Sequence, residues 1–248
     1  MDLFYLPAEI SNLTAILMIA VSLLTSFISA AASIGGGLVM LAFLSALLPP
    51  LSLIPIHGVV QLGSNFFRAL LSLKDISRGS ILPFTIGCLF GSYTGGSIAI
   101  NLPTAYLKIG IAIFIFFSVF GKIPLVKKKY LLFIGFAVSL LSMLFGASGF
   151  LMSSVVKGMK LSPVSHVATH GAMMTFQHLI KSITFGIFGF SFFSYAPLLV
   201  AMIISGFVGT FVGKKFLVKK GQDYFVKVLN TILVLAALRL IWSALTTL

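Results

Sequence analysis

The sequence predicts an all-α polytopic membrane protein made of two inverted repeats of about five hydrophobic segments each, with short broken half-helices among them. Three observations carry that expectation. The 248-residue chain is 59% hydrophobic and only 8% charged, whereas a water-soluble domain is about one quarter charged. Its apolar runs reach helix length and lack the alternating ten-residue pattern of an outer-membrane barrel. A polar stripe, unusual in so apolar a chain, is written twice at an offset of about 113 residues.

Ten apolar segments follow one another, at 12–34, 37–48, 51–73, 81–101, 104–121, 130–146, 149–157, 163–190, 196–213 and 223–246. The second and seventh fall short of the roughly 20 helical residues a bilayer core asks for, and read as half-helices. Helix-ending residues mark the breaks. Ile34-Gly35-Gly36-Gly37 separates the first two segments and Pro49-Pro50 the next two. Gly146-Ala147-Ser148-Gly149 and Ser162-Pro163 do the same in the second half. The expected division is a first transmembrane repeat at 1–121, a basic cytoplasmic linker at 122–129 and a second, inverted repeat at 130–248.

The net charge of +13 has the same explanation, because 12 of the 17 Lys and Arg residues lie in the short connections 74–78, 122–129, 157–160 and 214–220. That is a topology signal with the lipid bilayer as partner. No nucleic acid partner is expected, since no soluble segment exceeds a loop. If all ten segments cross, every basic connection falls on the cytoplasmic side, and the uncharged connections at 49–51, 101–103 and 191–196 fall opposite. Five crossings per half is odd, so the second half enters the membrane in the opposite sense. The alternative, four crossings per half with re-entrant short segments, puts Lys214, Lys215, Lys219 and Lys220 on the other side from the linker. The first eleven residues carry acidic residues and no basic one. That is the wrong charge for a signal peptide, so the first apolar run is expected to be retained.

The chemistry is expected at the breaks and the stripes. A glycine break opening a short helix exposes backbone N–H groups at the positive end of a helix dipole, a place that attracts anions. Gly35, Gly36 and Gly37 supply one, and Ser148 with Gly149 the other. His57, Gln61, Ser64 and Arg68 share one helix face, with Asn65 a further donor beside them, and Thr169, His170, Gln177, His178 and Lys181 belong to the counterpart in the second half. One such residue commonly makes an interhelical hydrogen bond worth about 0.6–2 kcal/mol. Two equivalent stripes fit the walls of a substrate site, with amides, hydroxyls and imidazoles donating to an oxyanion. Arg68 and Lys181 lie about 27 Å along their helices from Pro50 and Pro163. They are expected near the far interfaces, either snorkelling there or lining two pathway mouths.

Absences narrow the function further. The only acids are Asp2, Glu9, Asp75 and Asp223, none in a segment interior, whereas a cation carrier or carboxylate proton relay needs intramembrane acids. A coupling proton would have to use the histidines or the anion itself. Cys88 is the single cysteine, so no disulfide framework is expected, and neither metal nor cofactor. The glycines of the fourth and ninth segments read as packing faces. Paired carboxylates, a Ser-Lys dyad and an HExxH motif are missing, which argues against an intramembrane enzyme.

The glycine break Ser33-Ile34-Gly35-Gly36-Gly37, the run from Ile56 to Asn65 with Arg68, and the second-half elements Gly146-Ala147-Ser148-Gly149 and Ala168-Thr169-His170-Gly171 with Lys181 resemble the TauE/SafE permease family, over nearly the whole chain. The resemblance implies a bacterial inner-membrane transporter of sulfur-containing anions, sulfite and organosulfonates, acting as an exporter. Its second half departs from the family pattern, with Gly-Ala-Ser-Gly in place of a glycine triplet and no proline in the second short segment. The expected function is a secondary transporter moving a small anionic substrate by alternating access, with an anion channel as the alternative. Oligomeric state is left open.

Overall fold

The computed structural model describes residues 7, 10–32, 35–122, 125–146, 148–215 and 222–246. The acidic N-terminal residues Asp2 and Glu9, Ser33-Ile34, Ala147, Lys219, Lys220 and the Asp223 side chain lie outside the described residues. The described part is helical: α1 Asn12–Ala32, α2 Gly36–Leu47, α3 Pro50–Leu70, α4 Ile81–Ala99, α5 Thr104–Phe120, α6 Leu131–Phe145, α7 Gly149–Gly158, α8 Pro163–Ile187, α9 Ala196–Lys215 and α10 Gln222–Leu245, with short 3-10 turns between some of them.

Local chemistry sets the ends. Ser11 accepts from the backbone N–H of Thr14 through its hydroxyl at 3.1 Å and starts α1. Pro50 and Pro163 stand at the first helical position of α3 and α8, where a missing N–H costs nothing. Ser162 also caps α8 by accepting from Ser165 N–H at 3.2 Å. Helices α2 and α7, with 12 and 10 residues, reach only about 18 and 15 Å, half of a 30 Å hydrocarbon core.

Packing follows a pattern of exchange. Helix α3 packs on α8, α5 on α10, α1 on α9 and α4 on α6, while α2 leans on α3 and α7 on α8. Swapping the five helices of one half for those of the other maps these pairings onto themselves. The seams are tight because glycines let backbones touch: a Cβ at Gly91 would meet the Phe136 carbonyl at 2.1 Å, and one at Gly209 the Leu23 carbonyl at 2.1 Å. Hydroxyls cross the same seams, Ser92 to Ser139 at 2.6 Å and Ser205 to the Ile19 carbonyl at 2.8 Å.

Polarity runs inside out. Among the described residues, four helical stretches, Asn12–Ala31, Arg78–Ala99, Lys128–Phe145 and Phe193–Lys215, are long and apolar enough to cross a membrane. Their outer faces expose Leu13, Leu82, Phe90 and Phe133. His57, Gln61, Arg68, His170, Gln177 and Lys181 are buried between α3, α8 and their neighbours. A bilayer, which solvates apolar surface and not amides or cations, accounts for both halves of that arrangement.

Candidate anion site at the helix breaks

Both short helices begin at one cavity. Gly35, Gly37 and Leu38 of the first break line it together with Ser148, Gly149 and Phe150 of the second. The first-turn N–H groups of α2 and α7 lack intrahelical partners, so two positive dipole ends meet at this space. Gly35 adopts φ 101° and Gly146 φ 91°, left-handed backbone that only glycine takes without strain, and each turns the chain from a long helix into a short one.

Helix α3 contributes His57, Gln61, Asn65 and Arg68 to the wall, and α8 contributes His170, Met174 and His178. The close approach of these helices depends on Gly58 and Gly171. A Cβ on Gly171 would lie 3.3 Å from the Asn65 carbonyl, and one on Gly58 3.3 Å from Lys181 Cε. The enclosed volume is about 30 Å³, enough for a few water-sized atoms.

The two histidines equivalent by repeat make the same bond. His57 Nε2 donates to the Gly37 carbonyl and His170 Nε2 to the Gly149 carbonyl, each at 2.9 Å. His170 Nδ1 then accepts from Arg68 Nη2 at 3.2 Å, and together these contacts select its Nε2–H tautomer. His57 Nδ1 has no such partner.

Arg68 and Lys181 are also equivalent, and both are buried, at 7% and 0% exposure. The expectation that they snorkel at the interfaces is therefore corrected; Lys181 lines no described cavity, while Arg68 borders two. Distance along a helix fixes the Cα, but these side chains turn inward to the carbonyl ends of the long helices. Arg68 Nη1 donates to the Ser29 carbonyl in the last turn of α1 at 3.2 Å. Lys181 Nζ donates to the Ser142 and Gly146 carbonyls at the end of α6, at 2.9 and 2.7 Å. A cation at a helix C-terminus is favoured by the dipole and by unpaired carbonyls. Arg68 also donates to Asn65 Oδ1, while Asn65 Nδ2 donates to the Gln61 carbonyl at 2.7 Å.

The halves differ in what their cations face. Arg68 lines the cavity and its Nε is buried without a partner, as are Ser148 Oγ and His178 Nδ1. Lys181 is not part of the lining. Gln177 is fully buried with both amide atoms unpaired, yet also stands outside the lining. Gly36 packs against α1, where a Cβ would meet the Thr25 carbonyl at 2.0 Å. Thr169 accepts from Ser77 N–H at 3.0 Å and so anchors the connection after α3. Sequence reasoning missed Ser29, Ser142 and the Gly146 carbonyl. Their shared signal was the repeat offset, which relates Ser29 to Ser142 as it relates Arg68 to Lys181.

Chemically, the cavity offers a guanidinium, two helix N-termini and several donors. The only described acidic side chain, Asp75, is exposed in the 3-10 turn that follows α3. A small anion is the species such a set can hold. No curated protein and no solved structure matches the chain. The model of the family described as sulfite exporter TauE/SafE matches residues 18–240, and the chain belongs to that family of multi-pass membrane transporters.

Proposed function

We propose that the protein is a secondary transporter that carries sulfite or a similarly small sulfur oxyanion out of the cell across a bacterial inner membrane, by alternating access of two inverted repeats. The carrying observation is the cavity between the helix breaks, where Arg68 and the N-termini of α2 and α7 stand with no carboxylate among the described groups. Gly35, Gly37, Ser148 and Gly149 supply backbone and hydroxyl donors. Arg68 supplies the charge, and His57, Gln61, Asn65, His170 and His178 complete the wall. Gly36, Thr169, Gln177 and Lys181 support the site from behind it. The exchange pattern of the helix pairings supports two inverted repeats, because a carrier needs two related arrangements around one fixed site.

The size of the cavity narrows the substrate. A cavity of about 30 Å³, room for about two or three waters, favours the smallest oxyanions over a two-carbon sulfonate. A ligand stabilises the state that binds it, so thermal denaturation of the purified protein with sulfite, sulfate, thiosulfate, sulfoacetate and taurine tests this reading. The largest upward shift is expected with sulfite and the smallest with taurine; no shift with any sulfur anion would overturn it. In proteoliposomes, labelled sulfite flux is expected to be stimulated by unlabelled anion on the opposite side. Unitary current steps would instead establish a channel.

A further inference from the structure

A second cavity lies behind Arg68. It has a volume of about 110 Å³, against about 30 Å³ for the site at the helix breaks, and Arg68 belongs to the walls of both. Its floor is Arg68 with Thr210, which is 1% exposed and whose Oγ1 has no hydrogen-bond partner. Its rim is Ser72 and the exposed residues Val164 and Lys214, and Ala30, Leu71 and Val167 complete an otherwise apolar wall. Lys214 Nζ donates to the Leu71 carbonyl at 2.8 Å, which uses one of its three N–H groups. That bond ties the end of α9 to the end of α3, where two basic connections begin.

The opposite half of the molecule provides the comparison. Leu51 and Ile54 occupy the repeat positions of Val164 and Val167, and they too line a cavity, of about 170 Å³. That one is apolar. Phe185, Phe188 and Phe190 form its wall, no basic side chain enters it, and Lys181 stays outside. Related positions of the fold thus carry a chamber with two cations set in an otherwise apolar wall on the side of the basic loops, and an aromatic chamber without a cation on the other.

We propose that the cavity bounded by Arg68, Thr210, Ser72 and Lys214 is an antechamber that binds the small anion on the basic-loop side and hands it to the inner site past the Arg68 guanidinium. The proposal rests on the anion-transport reading above. Lys214 at the rim attracts the anion, the unpaired Thr210 hydroxyl donates to it, and Arg68 is shared between the two stations. A charge therefore moves from one to the other without losing its cation. The aromatic chamber opposite offers no equivalent station, so the conformation seen here loads from the basic side.

Charge-selective thiol labelling tests this. In a Cys88→Ser background, Thr210→Cys and, at the rim of the same chamber, Ser72→Cys are exposed from the basic side to two membrane-impermeant methanethiosulfonates, one bearing a sulfonate and one a trimethylammonium. Ser72→Cys keeps the test available if the Thr210 variant does not fold. Each rate is divided by that reagent's rate with a free thiol in solution. The chamber is expected to favour the anionic reagent at least fivefold, with Lys214→Gln lowering that preference at least twofold. Phe188→Cys, exposed to the same reagents from its own side, should react with no anionic preference. Equal rates, a cationic preference or no reaction at both chamber positions overturns the proposal. Sulfite flux through the same preparations separates the two readings. Flux without anionic preference removes the antechamber alone, and preference without flux keeps it as an anion site and removes the transport reading.

Discussion

Arg68 and Lys181 occupy the same place in two copies of one design, yet they meet different surroundings. Each reaches the carbonyl end of a long helix, Arg68 at Ser29 and Lys181 at Ser142 and Gly146. Both ties span 39 residues of sequence. Arg68 keeps an unpaired Nε and a share of two cavities, whereas the Lys181 ammonium has three acceptors within 3.3 Å, counting Ser142 Oγ. A planar guanidinium can hold a carbonyl and an anion at once, and an ammonium with three protons is used up by three neighbours. On the proposed reading, two cations at the same repeat offset have diverged, Arg68 toward the site and Lys181 toward holding a helix break in place.

The largest effect that would break this comparison is at Arg68. Arg68→Met is expected to lower sulfite flux in proteoliposomes by about a hundredfold, or about 2.7 kcal/mol of lost stabilisation. Arg68→Lys should keep part of that flux, because it restores charge but not the fork. If Arg68→Met transports normally while Lys181→Met does not, the roles are reversed. The histidines come next. His170 bridges Arg68 and the Gly149 carbonyl while His57 makes only the Gly37 bond. We expect about tenfold loss of flux for His170→Ala against about threefold for His57→Ala, in the same assay, and wild-type flux in both would remove the histidines from the site.

Lys181→Met should act on stability more than on transport. It strands two carbonyls inside the bundle, at a cost of about 1–3 kcal/mol, visible as a lower midpoint of thermal unfolding, while the sulfite-induced shift persists. The smallest effect is expected at Gln177. Its amide is buried with neither atom bonded, so Gln177→Leu removes an unmet desolvation cost and leaves the unfolding midpoint equal to or above wild type. A marked fall in the midpoint would show that the amide is satisfied by a bound water or ion.

Much of this architecture was legible because membrane helices announce their ends. Segments read at 37–48 and 130–146 are helices Gly36–Leu47 and Leu131–Phe145. The two largest overruns are equal, at α3, read to 73 and ending at Leu70, and at α8, read to 190 and ending at Ile187. At α8 the apolar run continues through Phe188 and Phe190, but Gly189 takes φ 92° and stops the helix. The two breaks, each legible as a separate anion place, line one cavity. Side-chain direction was not legible. A rise per residue locates the Cα of Arg68 and Lys181, and only the packed structure shows that backbone carbonyls of α1 and α6 draw the heads inward. Backbone acceptors leave no mark in residue type, which is why Ser29 and the accepting role of the Gly146 carbonyl were overlooked.

The seams that cross between the halves also constrain how the chain can be made. Ser205 bonds to the Ile19 carbonyl across 186 residues of sequence. At about 5–20 residues per second, α1 leaves the ribosome roughly ten to forty seconds before its partner exists. Until then its glycine-matched face, including the Leu23 carbonyl that receives Gly209, has only lipid or an insertion chaperone to cover it. A nascent chain arrested after α5 should therefore hold α1 and α4 as separate, protease-sensitive hairpin arms, and their protection should appear only once α6 and α9 are synthesised.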